Sequence, residues 1–181
     1  MAFRILGTRV EWRAEAERPR DGDVLVIPAN DHLWMLSGPG LEIKKSLGKE
    51  LEVEAVRLGP VAPGEVVATP GGPLGYRFLY HAVVMGQDSV WVEGAGRRAV
   101  VAAVERAIRD RAATMVFYPL YRGVHGRREQ PLQEMLNGIL EAAREGSPLK
   151  QILVLHENSQ EKTFLQETFV RVLAESPHGG A

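Results

Sequence analysis

The sequence predicts an α/β fold with three layers, in which helices cover both faces of a central sheet. Short apolar or alternating runs typical of strands alternate along the chain with segments whose apolar residues recur at helical spacing. Strands that alternate with helices are joined by crossovers, which give a parallel sheet between two layers of helices. The 181 residues fit one domain. We expect that domain over residues 1–175 and a flexible tail over residues 176–181.

Composition narrows the classes of function. A formal net charge of −1 implies no general attraction to nucleic acid or to a membrane surface. The absence of cysteine excludes disulfides, thiol nucleophiles and cysteine-bound metals. The chain has 17 arginines against 5 lysines, which is typical of a thermophile or of a GC-rich genome. With no signal-peptide pattern, and with its longest nearly apolar run (113–121) about half of the roughly 20 residues that span a membrane, we expect a cytoplasmic protein without membrane contact.

Strands are predicted where apolar and β-branched residues alternate or run together between turn residues. The Val-Leu-Val-Ile run at residues 24–27 is wholly apolar and stops at Pro28, as in a strand covered on both faces. Glycine and proline predict turns at residues 59–64 and 70–75. In chain order, the predicted strands are residues 2–12 (on either side of Gly7-Thr8), 24–27, 65–69, 77–85, 114–118 and 151–156.

Helices are predicted where the apolar spacing changes to three and four. The first two cover residues 41–56 and 97–112. A third has Pro131 in its first turn and Gly146 just beyond its end. In the last helix, Asn158 and Glu161 take the first and fourth places of a capping box.

Two glycine-containing loops, residues 30–40 and 120–128, follow predicted strands and lead into helices. In open α/β sheets, ligands bind beyond the carboxyl ends of the strands. Free amide groups there attract anions such as phosphate, and two such loops side by side suit a diphosphate. The alternative is that the glycines only form turns, as loop glycines commonly do. Trp34 and Met35 in the first loop are open to three interpretations: a lid over a ligand, a partner contact, or burial against the domain itself.

Other kinds of site lack their motifs. The chain has no Walker phosphate loop, no dinucleotide-binding glycine fingerprint and no nucleophile elbow. Its five histidines never fall at metal-ligand spacing, so we expect neither a metal nor a cofactor. His81 lies within an apolar strand and is interpreted as structural.

Six motifs occur in a fixed order along the chain. They are Ile-Pro-Ala-Asn (27–30), Ser-Gly-Pro-Gly (37–40), Gly-Glu-Val-Val-Ala-Thr-Pro-Gly (64–71), Tyr-His-Ala-Val (80–83), Met-Val-Phe-Tyr-Pro (115–119) and Tyr-Arg-Gly-Val-His-Gly (121–126). With these motifs the chain resembles the macro domain, the ADP-ribose-binding module, over nearly its whole length. The family's counterparts are N-A-A-N with a glycine-rich loop, G-E-x-x-x-T-P-G, I/V-x-H-x-V, I-A-F-P and S-T-G-I-x-G. The resemblance implies a mixed, mostly parallel central sheet.

The resemblance also implies a cleft for ADP-ribose or ADP-ribosylated molecules. Asn30 would face the distal ribose, and the amides around residues 37–40 and 123–126 would hold the diphosphate. The end of the last strand, residues 156–158, would lie near the adenine, where His156 could stack or have no role. The ligand-binding candidates are Asn30, Ser37, Gly38, Gly40, Arg122, Gly123, Val124, His125, Gly126, His156 and Asn158.

The chain departs from the family pattern at four places. Pro28 breaks the N-A-A-N motif. The family's adenine-binding aspartate would fall near residues 7–9, where there is no acid. Residues 40–42, Gly-Leu-Glu, stand where the hydrolytic branches have an aspartate. Arg122 replaces a small polar residue and would either strengthen diphosphate binding by a charged hydrogen bond or point to solvent.

Three functions fit these observations. The first is a binding module for ADP-ribose or a related derivative. The second is a hydrolase acting on ADP-ribosyl esters, ADP-ribose phosphate or an acetylated form, with His32, Glu42 and His125 as the catalytic candidates. The third is a macro-like interaction domain that has lost its ligand. A small basic cluster including Arg127 and Arg128 lacks a wider basic face, so we do not expect nucleic-acid binding. The sequence assigns no oligomeric state.

Overall fold

The computed structural model of the chain describes residues 2–176, and these contain seven strands and five α-helices. The strands are β1 (Ala2–Ile5), β2 (Thr8–Ala14), β3 (Gly22–Asn30), β4 (Val66–Pro70), β5 (Tyr76–Met85), β6 (Thr114–Phe117) and β7 (Gln151–His156). The helices are α1 (Gly38–Leu47), α2 (Glu50–Val56), α3 (Ala95–Arg109), α4 (Glu129–Ala142) and α5 (Ser159–Glu175). Short 3-10 helices cover Glu15–Glu17 and Gly72–Leu74. Except for Ser176, the expected C-terminal tail lies outside the described residues.

The strands form one mixed sheet in the order β1-β2-β7-β6-β3-β5-β4. The five inner strands (β2, β7, β6, β3 and β5) run parallel to one another. The edge strands β1 and β4 each pair antiparallel with their neighbour. The prediction of a mixed, mostly parallel sheet is therefore confirmed. The expected strands at residues 2–12 prove to be a hairpin, with β1 folded back on β2.

Alternate residues of β3 face two different cores, as the pleat of a strand requires. Val24 and Val26 pack with α3, α4 and α5. Leu25 and Ile27 pack on the opposite face with α1 and α2. The all-apolar run thus belongs to a strand buried on both faces, and the three-layer prediction is confirmed.

The helix predicted over residues 41–56 is interrupted in the structure. Gly48 has φ +89°, which a right-handed helix does not allow, and its N–H group closes α1 by donating to the carbonyl of Lys44. The chain restarts as α2 at Glu50. The apolar spacing continues across Gly48 because α1 and α2 bury their apolar residues in the same core. The spacing alone therefore did not indicate the break.

Pro28 lies within β3, where the sequence suggested the strand would stop. Its ring removes one N–H donor, which is costly wherever a neighbouring strand needs that donor. The backbone N atom of Pro28 faces β6, as does the backbone of Val26 two residues earlier. The Val26 carbonyl accepts the N–H of Tyr118, just beyond β6. The pairing with β6 ends at Val26, so the proline costs no ladder bond on that side, while β5 continues to pair with β3 up to Asn30.

His81 is fully enclosed in β5, 1 % exposed, with its Nε2 atom 3.1 Å from the hydroxyl of Thr69. Burial lowers the pKa of His81 to about 4 from an ordinary value of 6.5. The imidazole is therefore neutral in the folded protein. Its position agrees with the structural interpretation of this residue.

We predict that His81 makes stability fall in mildly acidic solution. The unfolded chain takes up a proton near pH 6.5 and the folded chain only near pH 4, so the free energy of unfolding decreases as pH falls through this window, by about 2 kcal/mol at pH 5. Urea unfolding at pH 7.5 and pH 5 measures the decrease. His81→Gln keeps a polar group beside Thr69 but does not titrate, so its decrease should be smaller by that amount. Equal decreases in both proteins would contradict the prediction.

Candidate functional site

The carboxyl ends of the five parallel strands meet at one edge of the sheet, and a cleft of about 300 Å³ opens there. Two loops flank it: the first loop, residues 31–37, joins β3 to α1, and the second loop, residues 118–128, joins β6 to α4. The cleft is lined by Gly38, Pro39, Glu42, Tyr121, Arg122, Gly123, Val124, Gly126, Arg128, Glu157 and Glu161.

The two loops touch through their backbones. The hydroxyl of Ser37 donates to the carbonyl of Gly123 at 3.0 Å. Gly38 and Gly123 have φ of +53° and +81°, and a Cβ atom on Gly123 would lie 2.8 Å from the amide nitrogen of Gly38. Glycine is therefore needed at both positions, for conformation and for space. The contact gives the cleft a wall of bare backbone.

Asn30 at the end of β3 shapes the first loop from within. Its Oδ1 atom accepts the N–H groups of His32 and Trp34 at 3.1 and 3.2 Å, and its Nδ2 atom donates to the carbonyl of Trp34 at 2.8 Å. The side chain is 5 % exposed and does not line the cleft. Asn30 thus acts on the loop conformation in this structure.

The two conspicuous side chains of the first loop have different environments. Met35 is buried, packs against Gly40, and donates its N–H group to the carboxylate of Glu52 at 2.7 Å. That carboxylate also pairs with Lys44 of α1 at 2.8 Å. Trp34 is 42 % exposed. Burial against the domain therefore holds for Met35, whereas Trp34 keeps a surface position.

A buried ion network closes one end of the cleft. The guanidinium of Arg122 is 10 % exposed and donates to Glu15, which follows β2, and to Glu161 of α5 at 2.8 Å. The Tyr121 hydroxyl donates to the second oxygen of Glu161 at 2.6 Å. The ring of Tyr118 lies with its centroid 5.7 Å from the Arg122 Cζ atom. Arg122 therefore points into the protein rather than to solvent.

Both charges of this network are stabilised. Burial by itself raises the pKa of the Glu161 carboxyl, but hydrogen bonds from Tyr121, from the Glu157 N–H group and from Arg122 hold that pKa below its ordinary value. Burial also disfavours a charged Arg122, yet its bonds to Glu15 and Glu161 raise the guanidinium pKa above its ordinary value. At neutral pH the carboxylate and the guanidinium both remain ionised.

The structure brings part of the predicted site together. Five ligand-binding candidates line the cleft: Gly38, Arg122, Gly123, Val124 and Gly126. Ser37 and Gly40 adjoin it through the contacts described above. Of the catalytic candidates, Glu42 lines the cleft from the first turns of α1.

Other predicted residues lie around the cleft. His125 faces a separate depression on the outer side of the second loop, with its N–H group bound to the carbonyl of Ser89. His32 pairs with Asp31 at 3.0 Å. Asn158 caps α5 through the Glu161 N–H group and lines a groove that continues the cleft.

His156 ends β7 and is 8 % exposed, and burial lowers its pKa. It does not line the cleft.

The ligand-binding and catalytic candidates named from the sequence do not include several residues that line the cleft: Pro39, Tyr121, Arg128, Glu157 and Glu161. One signal for Glu161 was available, because a capping-box glutamate lies at the start of a helix that follows a strand. Its carboxylate accepts the N–H group of Glu157, the residue before the cap, at 2.7 Å, whereas a capping box has it accept from the cap residue Asn158. The partnership with Arg122 had no signal in the local sequence.

The expected position of the family's adenine-binding acid needs a correction. Residues 7–9 lie at the amino end of β2, because β2 begins at Thr8 and runs parallel to β7, with Ala14 beside His156. That turn is at the edge of the sheet opposite the cleft. The residue that follows β2 on the cleft side is Glu15, so an acid does stand at this edge.

No group of three or more histidine, aspartate or glutamate side chains within residues 2–176 is placed to hold a metal ion. Nor does this part of the chain contain a helix long and apolar enough to cross a membrane.

Comparison with known proteins gives the class of this fold and site. The family model described as Macro domain matches residues 26–136, and the chain belongs to this family. An uncharacterised protein of Aquifex aeolicus is 36 % identical over 91 residues, which cover 50 % of this chain and 55 % of that protein. The chain thus spans about half the length of this relative.

Solved structures share the fold at low sequence identity. A mutant of the Oceanobacillus iheyensis macrodomain with ADPR superposes with a TM-score of 0.79 at 20 % identity, over 97 % of this chain and 99 % of that one. The Trypanosoma brucei macrodomain in complex with ADP gives a TM-score of 0.71 at 18 % identity, over 89 % of this chain and 68 % of that one.

We predict that Gly123→Ala separates the two loops and destabilises the protein. The new Cβ atom meets the backbone of Gly38, so the substitution should cost about 3 kcal/mol in urea unfolding. Gly146→Ala is the matched control, because Gly146 has a similar φ of +71° and a Cβ atom there would meet no described atom within 4 Å. It should cost only roughly 1 kcal/mol, for the left-handed backbone alone. Equal costs would mean that the loop contact is not tight.

Proposed function

We propose that the protein binds ADP-ribose or a close derivative in the cleft between the two glycine loops. The observation that carries this proposal is the backbone contact of Gly38 with Gly123 at the carboxyl edge of a parallel sheet. Bare backbone next to the first turn of α1 offers N–H groups to an anion without a side chain in the way. A diphosphate is the anion that fits between two such loops.

Family membership supports this ligand. The Oceanobacillus iheyensis macrodomain was solved with ADPR and the Trypanosoma brucei macrodomain with ADP, and both share the fold of this chain. The cleft of this chain lies beyond the carboxyl ends of the strands, which is where open α/β sheets bind their ligands.

The lining of the cleft comes from both α1, with Glu42, and the turn after β7, with Glu157. We place the diphosphate at Gly38 and Gly123, the distal ribose toward Glu42 and the base toward Glu157. Asn30 then supports the distal ribose side indirectly, by fixing the first loop.

Calorimetric titration with ADP-ribose tests the proposal. The native protein should give saturable heat, and Gly123→Glu should weaken binding by roughly 100-fold, because a carboxylate would occupy the anion site. Gly146→Glu makes the same change at a glycine far from the cleft and should bind like the native protein. Thermal unfolding of both variants checks that they fold.

Native protein that gives no heat would overturn the proposal and favour the interaction domain that has lost its ligand. Binding that survives Gly123→Glu would mean that the ligand lies elsewhere.

A hydrolase is the second candidate, and one observation favours it: Glu42 places an exposed carboxylate on the cleft wall. In that position it could activate a water beside the distal ribose. His32 and His125 do not line the cleft, so Glu42 is the first residue to test.

We predict that, if the protein turns over substrate, Glu42→Gln reduces the release of ADP-ribose from an ADP-ribosylated protein by about 100-fold. Binding of free ADP-ribose should change little, since the amide keeps the shape of the side chain. Chromatographic assay of released ADP-ribose measures the rate. Unchanged release would exclude Glu42 as the base, and no release by the native protein would leave binding as the function.

A further inference from the structure

Ser37 is placed to cap α1 but does not cap it. It directly precedes the helix, and its backbone is extended, with φ −148° and ψ 167°, as in a capping serine. The hydroxyl of such a serine usually accepts the N–H group of the second or third residue of the helix. Here the second residue is Pro39, which has no N–H group, so a cap at Ser37 would serve Gly40. The hydroxyl of Ser37 makes no such bond.

The hydroxyl of Ser37 joins the two loops instead. It donates to the carbonyl of Gly123 in the second loop at 3.0 Å. The carbonyl of Arg122, one residue earlier, lies against α1, because a Cβ atom on Gly38 would be 2.7 Å from its oxygen. Ser37 thus fastens the second loop at the point where the backbone of that loop meets the start of α1.

The first turn of α1 keeps free amide groups as a result. Within residues 2–176, the N–H groups of Gly38 and Gly40 have no acceptor. The helical bonds begin with the N–H group of Leu41, which donates to the carbonyl of Ser37. Gly40 is buried, and a buried N–H group without an acceptor is rare because it costs free energy. A capping serine would remove that cost, but the Ser37 hydroxyl is bound to Gly123.

The free amides belong to the end of α1 that faces the cleft. The N–H groups of a first helical turn point toward the N-terminus of the helix and attract anions there. Gly38 and Pro39, at this N-terminus, line the cleft. An anion in the cleft could therefore accept from the first turn of α1, and a capping side chain at Ser37 would compete with it.

We propose that Ser37 is a positioning residue of the diphosphate site: its hydroxyl ties the second loop to α1 and so leaves the N–H group of Gly40 free for a phosphate oxygen. This inference rests on the proposed function, because it assigns a role within the same cleft. A stronger cap at residue 37 should then weaken ligand binding without unfolding the protein. A residue with a structural role alone would not show this, since a better cap does not lower stability.

Ser37→Asp supplies the cap. An aspartate cannot donate to the carbonyl of Gly123, whereas its carboxylate readily accepts an N–H group at a helix start. In calorimetry, ADP-ribose and ADP should both bind about 100-fold more weakly, by the same factor because they share the diphosphate. The melting temperature should stay within about 3 °C of the native value, because the new cap offsets the lost bond to the second loop.

Three control variants separate the charge, the tie and the cap. Leu36→Asp adds the same charge at an exposed position one residue before the cap, so it should weaken ADP-ribose binding by no more than about threefold. Ser37→Ala removes the tie and adds no cap, so it should weaken binding about fivefold. Ser37→Thr keeps the hydroxyl and should bind within about twofold of the native protein.

Proton–nitrogen NMR spectra report on the amide itself. In native protein, ADP-ribose should move the Gly40 amide proton downfield, because that proton gains an acceptor. In Ser37→Asp the same proton should already lie downfield without ligand. A Gly40 resonance that stays in place while native protein becomes saturated would overturn the inference, and this test does not require that Ser37→Asp folds.

The outcomes separate the two proposals. Native protein that gives no heat with either nucleotide contradicts the proposed function itself. If native protein and Ser37→Asp bind equally well, the proposed function is supported and the role of Ser37 is overturned. A loss confined to ADP-ribose, with ADP unaffected, would place Ser37 at the distal ribose and would overturn its role at the diphosphate.

Discussion

The parallel run of the five inner strands places the parts of the cleft that are distant in sequence next to one another. Their carboxyl ends lie at one edge, so the residues that follow β2, β3, β6 and β7 share a surface. Glu15, Gly38, Arg122 and Glu157 come to that edge of the sheet from four separate parts of the chain. If β2 ran the other way, Glu15 would lie at the opposite edge and Arg122 would lose one of the three carboxylates with which it pairs.

Two kinds of contact complete the cleft on this frame, and they make different demands. The contact of Gly38 with Gly123 depends on the absence of side chains, because any Cβ atom there would meet backbone. The Arg122 network depends on matched charge, because a buried guanidinium needs acceptors for its N–H groups. The first contact leaves this backbone bare of side chains, and the second fixes the position of the Arg122 guanidinium.

Much of the frame could be predicted from the sequence, because strand and helix periodicity is local. The same local pattern failed at Gly48, where two helices bury one stripe, and at Pro28, whose tolerance depends on where β6 ends. The two glycine-containing segments, residues 30–40 and 120–128, were predicted as the site, and residues of both line the cleft. The ion network of Arg122 could not be predicted from local sequence patterns. Arg122 and Glu15 are 107 residues apart, and only the order of strands brings them together.

The charges of the cleft argue for a particular kind of ligand. Its lining carries the carboxylates Glu42, Glu157 and Glu161 against the guanidiniums Arg122 and Arg128, a formal excess of negative charge. Under the proposed function, net electrostatic attraction would not bind the diphosphate, and backbone N–H groups that act at short range would have to bind it. The free carboxylates are then suited to the donors that flank the diphosphate, the ribose hydroxyls and the amino group of the base. An anion without such donors would meet the same repulsion and gain none of these bonds, so under the proposed function the cleft would favour a whole nucleotide-sugar over simple phosphate.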